Sequence, residues 1–213
     1  MFSRNLTQPE VDLIRHIEEF VRLKHEKCEG HDWTHVLEVT RIAIDLAEQV
    51  PDAVDPFLLV CGALFHDIGR VNAVSGSLHG LEGAALADQF LRAVWPDRDQ
   101  ADAIVRIVTR HTPTSAIPPE TIEEKIVFDA DTLERFGWIG ILRGVMSKTG
   151  SIEDILERVV RKRMADYENL CLDVSRELGR ERYENTLTIL QGVEDALKRR
   201  DERVNKPMRL PVQ

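Results

Sequence analysis

The sequence predicts an all-α fold. Apolar residues recur at helical spacing through most of the 213 residues, and strand signals are almost absent, because the chain lacks alternating apolar–polar runs and Asn-Gly or Asp-Gly hairpin turns. Proline and glycine divide the apolar pattern into segments of roughly 8 to 20 residues, the usual length of helices in globular proteins. We therefore expect a bundle of helices joined by short connections.

Capping residues and helix breakers set the expected bounds of these helices. Thr7 followed three residues later by Glu10 is a capping-box pattern, and Pro56 after Asp55 suits the first position of a helix. A break at residues 28–30 separates the first helix from the second, which Pro51 ends. We expect helices at about residues 8–24, 33–50, 56–68, 78–95, 98–110, 118–136 and 138–146, with the proline pair at 118–119 opening the sixth.

The character of the sequence changes after residue 150. Amphipathic, charge-rich stretches at about 151–164, 170–178 and 183–197 predict further helices, and they hold no cluster of metal-ligand side chains. We expect residues 1–149 to form a helical core and residues 150–200 a C-terminal helical lobe packed on it. Residues 201–213 contain two prolines and little periodicity, and are expected to be a flexible tail.

Composition excludes several classes of protein. The net charge of −9 argues against binding to long nucleic acid or an anionic membrane, although a bound cation would still admit an anionic substrate. Cys28, Cys61 and Cys171 are far apart and form no CxxC pair, which favours a reducing compartment over a disulfide framework or a zinc cluster. The N terminus has no apolar signal region, and we expect a cytoplasmic protein.

A histidine–aspartate pair, His66-Asp67, ends the most apolar helix of the sequence. The preceding residues 58–65 (LLVCGALF) are apolar on every side, so this helix is expected to be buried all round. A buried carboxylate without a partner is costly, and a divalent cation bound by both side chains would remove that cost. The alternative is a salt bridge from Asp67 to an arginine with His66 packed in the core, and the pair alone does not decide between the two.

Two more side chains favour a metal site. His35 shares a helical face with the apolar residues four, seven and eleven positions later, so it is expected to point into the core. Asp131 lies in the apolar segment IVFDADTL together with Asp129, and on a helix the two carboxylates diverge by about 200°, so at most one faces a shared ion. Two histidines and two aspartates would leave coordination positions open for water and substrate.

Three segments resemble the successive motifs of the HD-domain superfamily, namely GHDWTHV at 30–36, ALFHDIG at 63–69 and DADTL at 129–133. The resemblance covers about residues 30–145 and implies an HD-domain helical bundle followed by a C-terminal helical extension. The stretch DADTLERFGWIGILRG is also similar to a bacterial subgroup of small HD hydrolases. Some members of that subgroup resemble nucleotide pyrophosphohydrolases that use manganese.

The resemblance implies a specific set of metal ligands. In the superfamily a histidine on an early helix, a His-Asp pair and a distant aspartate bind the metal. The family aspartate stands in an Ala-Asp-x-Leu context, which fits Asp131 and not Asp129. Ligands of these types suit a divalent ion such as manganese, iron, cobalt, nickel or magnesium. By position the expected ligands are His35, His66, Asp67 and Asp131.

Four of the remaining histidines divide into two groups. His79 in LHGLEGA and His111 in RHT resemble positions that hold a second metal in some HD proteins, including diadenosine polyphosphate hydrolases. The alternative is that His79 and His111 bind substrate phosphate or orient water. His16 and His25 lie on the polar face of the first helix or just beyond it, and are expected to contact solvent.

Basic side chains are needed to hold the phosphates of a substrate. Arg70 directly follows the Asp-Ile-Gly sequence, where many HD proteins carry a lysine or arginine, and is the first candidate. Arg110 and Lys125 are further candidates, and for all three a solvated surface position is the alternative. We expect catalysis from Asp67, which would handle the proton, and from Arg70, which would neutralise charge on the transferring phosphoryl group.

These features predict a metal-dependent phosphohydrolase that uses metal-activated water on a nucleotide or a related small phosphate ester or anhydride. Alternatives with the same fold are a dinuclear hydrolase of dinucleoside polyphosphates, a di-iron oxygenase and a nucleotide-binding protein without catalysis. A helical interaction protein is a further alternative, which would leave the buried polar residues unexplained. A monomer and a homodimer are both compatible with the sequence. So are several divalent metals, one or two ions per chain, and several phosphorylated substrates.

Overall fold

The computed structural model describes residues 1–25, 31–71, 78–113, 116–146 and 148–208. Within these ranges the chain is helical and has no β-strand beyond one isolated bridge between Phe2 and Val54, which confirms the all-α prediction. The helices are α1 (Gln8–His25), α2 (Trp33–Gln49), α3 (Pro56–Phe65), α4 (His79–Val94), α5 (Arg98–Arg110), α6 (Ile122–Glu134), α7 (Gly137–Val145), α8 (Ile152–Ile155), α9 (Lys162–Glu168) and α10 (Asp173–Val204).

Two shorter helical turns complete the path of the chain. A 3₁₀ turn, Ile68–Val71, follows α3, and a π-helical turn, Leu156–Arg161, joins α8 directly to α9. The proline pair at 118–119 precedes α6 instead of opening it. The helix begins at Ile122 because the Thr121 hydroxyl accepts the Glu124 N–H while the Glu124 carboxylate accepts the Thr121 N–H.

The stretches at 170–178 and 183–197, for which one or two helices are expected, lie in one continuous helix, α10, which begins at Asp173. Gly179 lies within this helix. A Cβ at that position would lie 2.2 Å from Leu133 Cδ2, so the glycine lets α10 pack closely on α6. The helix continues past Asp201 to Val204, into the segment expected to be a tail. Residues 209–213 of that tail, Cys28 and the break at 28–30 lie outside the described ranges.

The apolar helix α3 lies between two clusters of buried side chains. On one side Leu59 and Ala63 pack with residues of α2 and α6. On the other side Phe57, Cys61 and Phe65 pack with residues of α1, α4 and α5. A helix that is apolar on every side can satisfy both clusters at once, which explains its central position.

The helices after residue 150 pack on α7, α6 and α2. The Asp129 carboxylate accepts the backbone N–H groups of Cys171 and Leu172 at 2.8 and 2.9 Å, just before α10 begins. Tyr167 and Tyr183 stack with their ring centroids 4.1 Å apart. None of the described helices combines the length and apolar character that crossing a bilayer requires.

The histidine expected to contact solvent after the first helix is instead buried. His25 is 1% exposed, and its Nδ1 lies 2.5 Å from the carbonyl oxygen of His31. His16, on the same helix, is exposed as expected. The prediction for His25 was wrong because it considered only the helix face and not the backbone of residue 31, which folds back over it.

Gly69 fixes how α4 meets the end of α3. A Cβ at this position would lie 2.1 Å from the carbonyl oxygen of His79 and 2.4 Å from the backbone nitrogen of Gly83. Both are backbone atoms of α4, so no side-chain rotation would relieve the overlap. The glycine therefore allows α4 to approach the His66-Asp67 pair closely.

We predict that Gly69→Ala lowers the free energy of unfolding by about 3 kcal/mol, the upper end of typical overpacking costs, because α4 must move away. Gly192→Ala is the matched control, since a Cβ there meets nothing within 4 Å in the middle of α10. Alanine favours the helix at that position by up to about 1 kcal/mol. Urea unfolding followed by circular dichroism measures both, and equal stability of the two variants would contradict the close approach.

A second prediction concerns the ion pairs that attach the N terminus to α3. Arg4 contacts Glu10 at 2.6 Å and Asp55 at 2.9 Å, and its hydrogen bond lowers the pKa of Glu10 from 4.5 to about 2. A lowered folded-state pKa means that the stabilisation is complete above pH 4.5 and is lost as the pH falls towards 2. The stability difference between wild type and Glu10→Gln should therefore shrink over that range.

Urea unfolding at several pH values between 7 and 2 checks this prediction. The control is Glu19→Gln, an exposed carboxylate on the same helix with no ion pair among the described residues. If the difference in unfolding free energy between wild type and Glu10→Gln stayed constant down to pH 2, the Arg4 contact would not stabilise the fold.

Candidate metal centre

The four expected metal ligands meet in one buried group. His35 Nε2 lies 3.3 Å from His66 Nε2, 3.3 Å from Asp67 Oδ2 and 3.6 Å from Asp131 Oδ1. All four ligand atoms lie within 4.8 Å of one another, and none of the four residues is more than 6% exposed. Side chains up to 96 residues apart in sequence thus surround one point in the core.

Local structure explains why these side chains converge. Asp32 caps α2 by accepting the N–H of His35 at 3.0 Å, which places His35 in the first turn and next to the end of α3. Asp131 lies in α6, which packs on both α2 and α3. Asp129, two positions earlier on α6, faces the start of α10, as the angular separation of the two carboxylates requires.

The imidazole rings are held with Nε2 towards the centre. His66 Nδ1 lies 2.7 Å from the carbonyl oxygen of Ala63, and His111 Nδ1 lies 2.6 Å from that of Val108. Since a carbonyl can only accept, each Nδ1 carries a proton, and Nε2 is the ring nitrogen that faces the centre. His35 Nδ1 lies 3.2 Å from the Glu134 carboxylate. Nδ1 partners of this kind orient histidines that ligate metals.

The donor set fits a divalent cation. Burial lowers the pKa of His66 to about 3, so this imidazole is neutral at pH 7. Burial opposes ionisation of Asp67, but Arg70 and the neighbouring imidazoles together outweigh it and hold the pKa of that carboxyl well below its usual range. The two carboxylates match the charge of the ion, and bonds of about 2.1 Å would separate neighbouring ligands by about 3.0 to 3.5 Å. His35, His66, Asp67 and Asp131 could therefore hold one ion.

The second oxygen of Asp67 belongs to another group. Asp67 Oδ1 lies 3.4 Å from His79 Nε2 and 3.5 Å from His111 Nε2, and the two nitrogens are 3.1 Å apart. All three side chains are buried. Arg70 Nε lies 2.8 Å from the same oxygen and thus already supplies a positive charge there. Asp67 therefore has one oxygen in each of two groups of histidines.

A basic cavity of about 590 Å³ opens beside Asp131. Its polar side chains come mainly from the C-terminal end of α6, from α7 and from the segment that follows residue 146. More of them are basic than acidic, although the net charge of the whole chain is −9. Such a local reversal of charge favours an anionic ligand. The charged and imidazole side chains that line it are His31, Arg70, Asp131, Arg135, Arg143, Lys148, Arg158, Lys162, Arg163 and Asp166.

The structure brings Arg70 to the cavity but not the other two basic candidates. Arg110 contacts Glu120 at 2.9 Å and Glu124 at 3.2 Å, outside the cavity lining. Lys125 does not line the cavity either. Sequence proximity to His111 selected Arg110, but its side chain turns to the acidic residues that precede and begin α6.

Sequence reasoning missed several residues of this centre. His31 Nδ1 lies 2.6 Å from Asp67 Oδ2, and only its spacing of four residues from His35 hinted at a role. Glu134 follows Asp131 by one helical turn, so helical spacing could have placed it on the same side of α6. The lining cations after residue 140 had no local signal, since a charge-rich amphipathic helix is typical of any surface.

Glu134 connects the metal ligands to the basic cavity. It is 4% exposed, and its carboxylate contacts both His35 Nδ1 and the guanidinium of Arg143. A carboxylate this close to Nδ1 favours the ring orientation in which Nε2 of His35 faces the other three side chains.

We predict that Glu134→Ala weakens the affinity for Mn²⁺ by about 10- to 100-fold, because His35 loses the carboxylate beside its Nδ1. Glu134→Gln keeps an acceptor oxygen and should recover most of the affinity. Isothermal titration of the metal-free protein with Mn²⁺ measures both, with circular dichroism to establish folding. Equal affinities of wild type and folded Glu134→Ala would contradict this role.

Comparison with known proteins agrees with this geometry. The family model of the HD domain matches residues 32–135, a range that includes all four members of the buried group. A tRNA (cytidine(56)-2'-O)-methyltransferase of Picrophilus torridus is 34% identical over 140 residues, which are 59% of this chain. The match spans only 38% of that longer relative. YpgQ of Bacillus subtilis is 27% identical over 180 residues, covering 79% of this chain and 85% of YpgQ.

Solved structures share the fold over most of the chain. The crystal structure of YpgQ in complex with ADP matches with a TM-score of 0.69 at 24% identity, covering 89% of this chain and 97% of the YpgQ chain. An HD-superfamily hydrolase of Bacillus thuringiensis matches with a TM-score of 0.65 at 21% identity, over 89% of this chain and 98% of the other. The family-model match shows an HD domain at residues 32–135, about half of the chain.

Proposed function

We propose that this protein is a metal-dependent phosphohydrolase acting on a nucleotide or a related small phosphate ester or anhydride. The observation that carries the proposal is that the buried His-His-Asp-Asp group adjoins a basic cavity, whose wall includes Asp131. The ligand set suits a divalent cation and the cavity suits a phosphorylated anion, which are the two parts that such a reaction needs.

In this proposal His35, His66, Asp67 and Asp131 hold the divalent ion. When bound, the ion polarises a phosphoryl oxygen and lowers the pKa of water, which supplies a nucleophile near neutral pH. Water attacks phosphorus, the bond from phosphorus to the leaving oxygen breaks, and the proton of the water passes to Asp67. Arg70, held 2.8 Å from Asp67 and lining the cavity, neutralises charge on the transferring phosphoryl group.

A nucleotide is the favoured substrate. The crystal structure of YpgQ contains ADP, and that protein shares the fold at 24% identity. The cavity of about 590 Å³ falls within the usual range for small-molecule sites, roughly 300 to 1,000 Å³. His79 and His111 would then contact the substrate phosphate or orient water beside Asp67.

A dinuclear hydrolase is the second candidate. It is favoured by the separate group of Asp67, His79 and His111, whose ligand atoms also lie close enough for one ion. The Arg70 guanidinium, nearer to Asp67 Oδ1 than either histidine, favours the single-ion form. Metal analysis after loading with Mn²⁺ separates the two candidates, because it yields either one or two ions per chain.

We predict that Asp67→Ala loses bound metal and lowers hydrolysis by at least about 100-fold, more than the loss of a residue that only orients a ligand. The measurement is metal content together with hydrolysis of nucleoside mono-, di- and triphosphates, a dinucleoside polyphosphate and p-nitrophenyl phosphate. Lys125→Ala is the control and should retain both properties, since Lys125 lies outside the cavity lining. Unchanged metal content and activity in Asp67→Ala would overturn the proposal.

A further inference from the structure

Three arginines from different helices meet on one wall of the cavity. Arg135 follows α6, Arg143 lies in α7, and Arg163 lies in α9. Arg135 pairs with Asp166 at 2.5 Å, and Arg143 contacts Glu134. Among the described residues, Arg163 has no acidic side chain within 4.0 Å, and its guanidinium donates a long hydrogen bond of 3.4 Å to the carbonyl oxygen of Gly140.

Gly144 provides the space in which the Arg163 side chain lies. A Cβ at Gly144 would be 2.1 Å from Arg163 Nη1 and 2.7 Å from Arg163 Cζ. The guanidinium therefore rests directly on the backbone of α7, at the cavity wall. An arginine on a surface helix normally extends into solvent. The position of the Arg163 guanidinium against α7 instead puts a positive charge where a ligand in the cavity would contact it.

The surroundings of Arg163 disfavour its charge unless an anion is present. Burial lowers its pKa to about 10, and the neighbouring Arg135 and Arg143 act in the same direction. A cation held among like charges in a cleft is a feature of functional sites. An anion bound between these arginines would remove the repulsion, and a planar guanidinium suits the two oxygens of a phosphate.

The cluster adjoins the metal ligands. Glu134 contacts Arg143 on one side and His35 on the other, so only one side chain separates the arginine wall from the buried group. Asp131 and Arg163 line the same cavity. A phosphate at the metal ligands and a second phosphate at Arg163 could therefore belong to one molecule.

We propose that Arg163 forms a second phosphate subsite, which binds a phosphate of the substrate other than the one attacked and so selects phosphoanhydride chains over phosphomonoesters. This inference rests on the proposed phosphohydrolase function. The residue lies outside the matched HD domain, which ends at residue 135, so the C-terminal lobe becomes part of the active site. Two ligand sources share this chemistry, namely a nucleoside triphosphate and an inorganic polyphosphate.

The first experiment measures binding without hydrolysis. Metal-free protein is titrated calorimetrically with inorganic tripolyphosphate and, separately, with ATP. Arg163→Met should weaken the affinity for both by about 10- to 100-fold, the usual effect of losing charge-assisted hydrogen bonds to a phosphate. Tighter binding of ATP by wild type would identify the nucleotide as the source, and tighter binding of tripolyphosphate the inorganic chain.

Two further variants separate this role from a general effect of charge or stability. Gly144→Ala keeps the charge but displaces the guanidinium, whose flexible end can move without cost to the backbone, so it should weaken binding as Arg163→Met does. Arg161→Met is the matched control, because Arg161 pairs with Glu157 and Glu194 outside the cavity lining. It should bind both ligands like wild type. Circular dichroism melting establishes that all three variants fold.

The second experiment measures specificity in the metal-loaded enzyme. Arg163→Met should lower kcat/KM for ATP by the same 10- to 100-fold and leave kcat/KM for p-nitrophenyl phosphate unchanged, since that ester has a single phosphate. Equal losses on both substrates would overturn the subsite, as would tripolyphosphate affinity at the wild-type level in Arg163→Met or Gly144→Ala. If wild type hydrolyses neither substrate but still binds tripolyphosphate through Arg163, the phosphohydrolase function fails and the anion site stands.

Discussion

Burial of the Asp67 carboxylate is the constraint on which the other features of this structure depend. The side chain is 1% exposed, and a charge at such a position is stable only when compensating groups surround it. Its Oδ2 faces His31, His35 and His66, and its Oδ1 faces Arg70, His79 and His111. The segments that surround Asp67 therefore each bring a nitrogen atom to one of its two oxygens, whereas α6 brings the carboxylate of Asp131 to the same centre.

The fold is arranged to make this burial possible. The helix α3 is apolar on every side, so its C-terminal end carries His66 and Asp67 into the middle of the domain. Gly69 then lets α4 approach close enough to place His79 beside Asp67. The Asp32 cap starts α2 where His35 can face the same point. The end of α3, Gly69 and the start of α2 therefore determine both how the helices pack and where the site residues lie.

The helices after residue 150 do more than cover the core. Asp129 ties the start of α10 to α6 through two backbone N–H groups, while Asp131 on the same helix faces the metal ligands. Because α7 and α9 then lie along the cavity, their arginines supply positive charge that the ligand group lacks. An acidic protein can in this way present a basic site to a phosphorylated substrate.

The residue pattern by itself determined the all-α class, most helix bounds and the four side chains of the buried group. Helical periodicity and rare polar residues in apolar segments are local properties, and they singled out His35, His66, Asp67 and the aspartate pair at 129 and 131. The resemblance to the HD-domain motifs then chose Asp131 over Asp129. Only the tertiary structure decided which cations reach the site. It places Arg110 in ion pairs with Glu120 and Glu124, outside the cavity lining, and it brings Arg143 and Arg163 to the cavity. Long basic side chains on amphipathic helices look alike in sequence, because their direction is set by the neighbouring helices against which they pack.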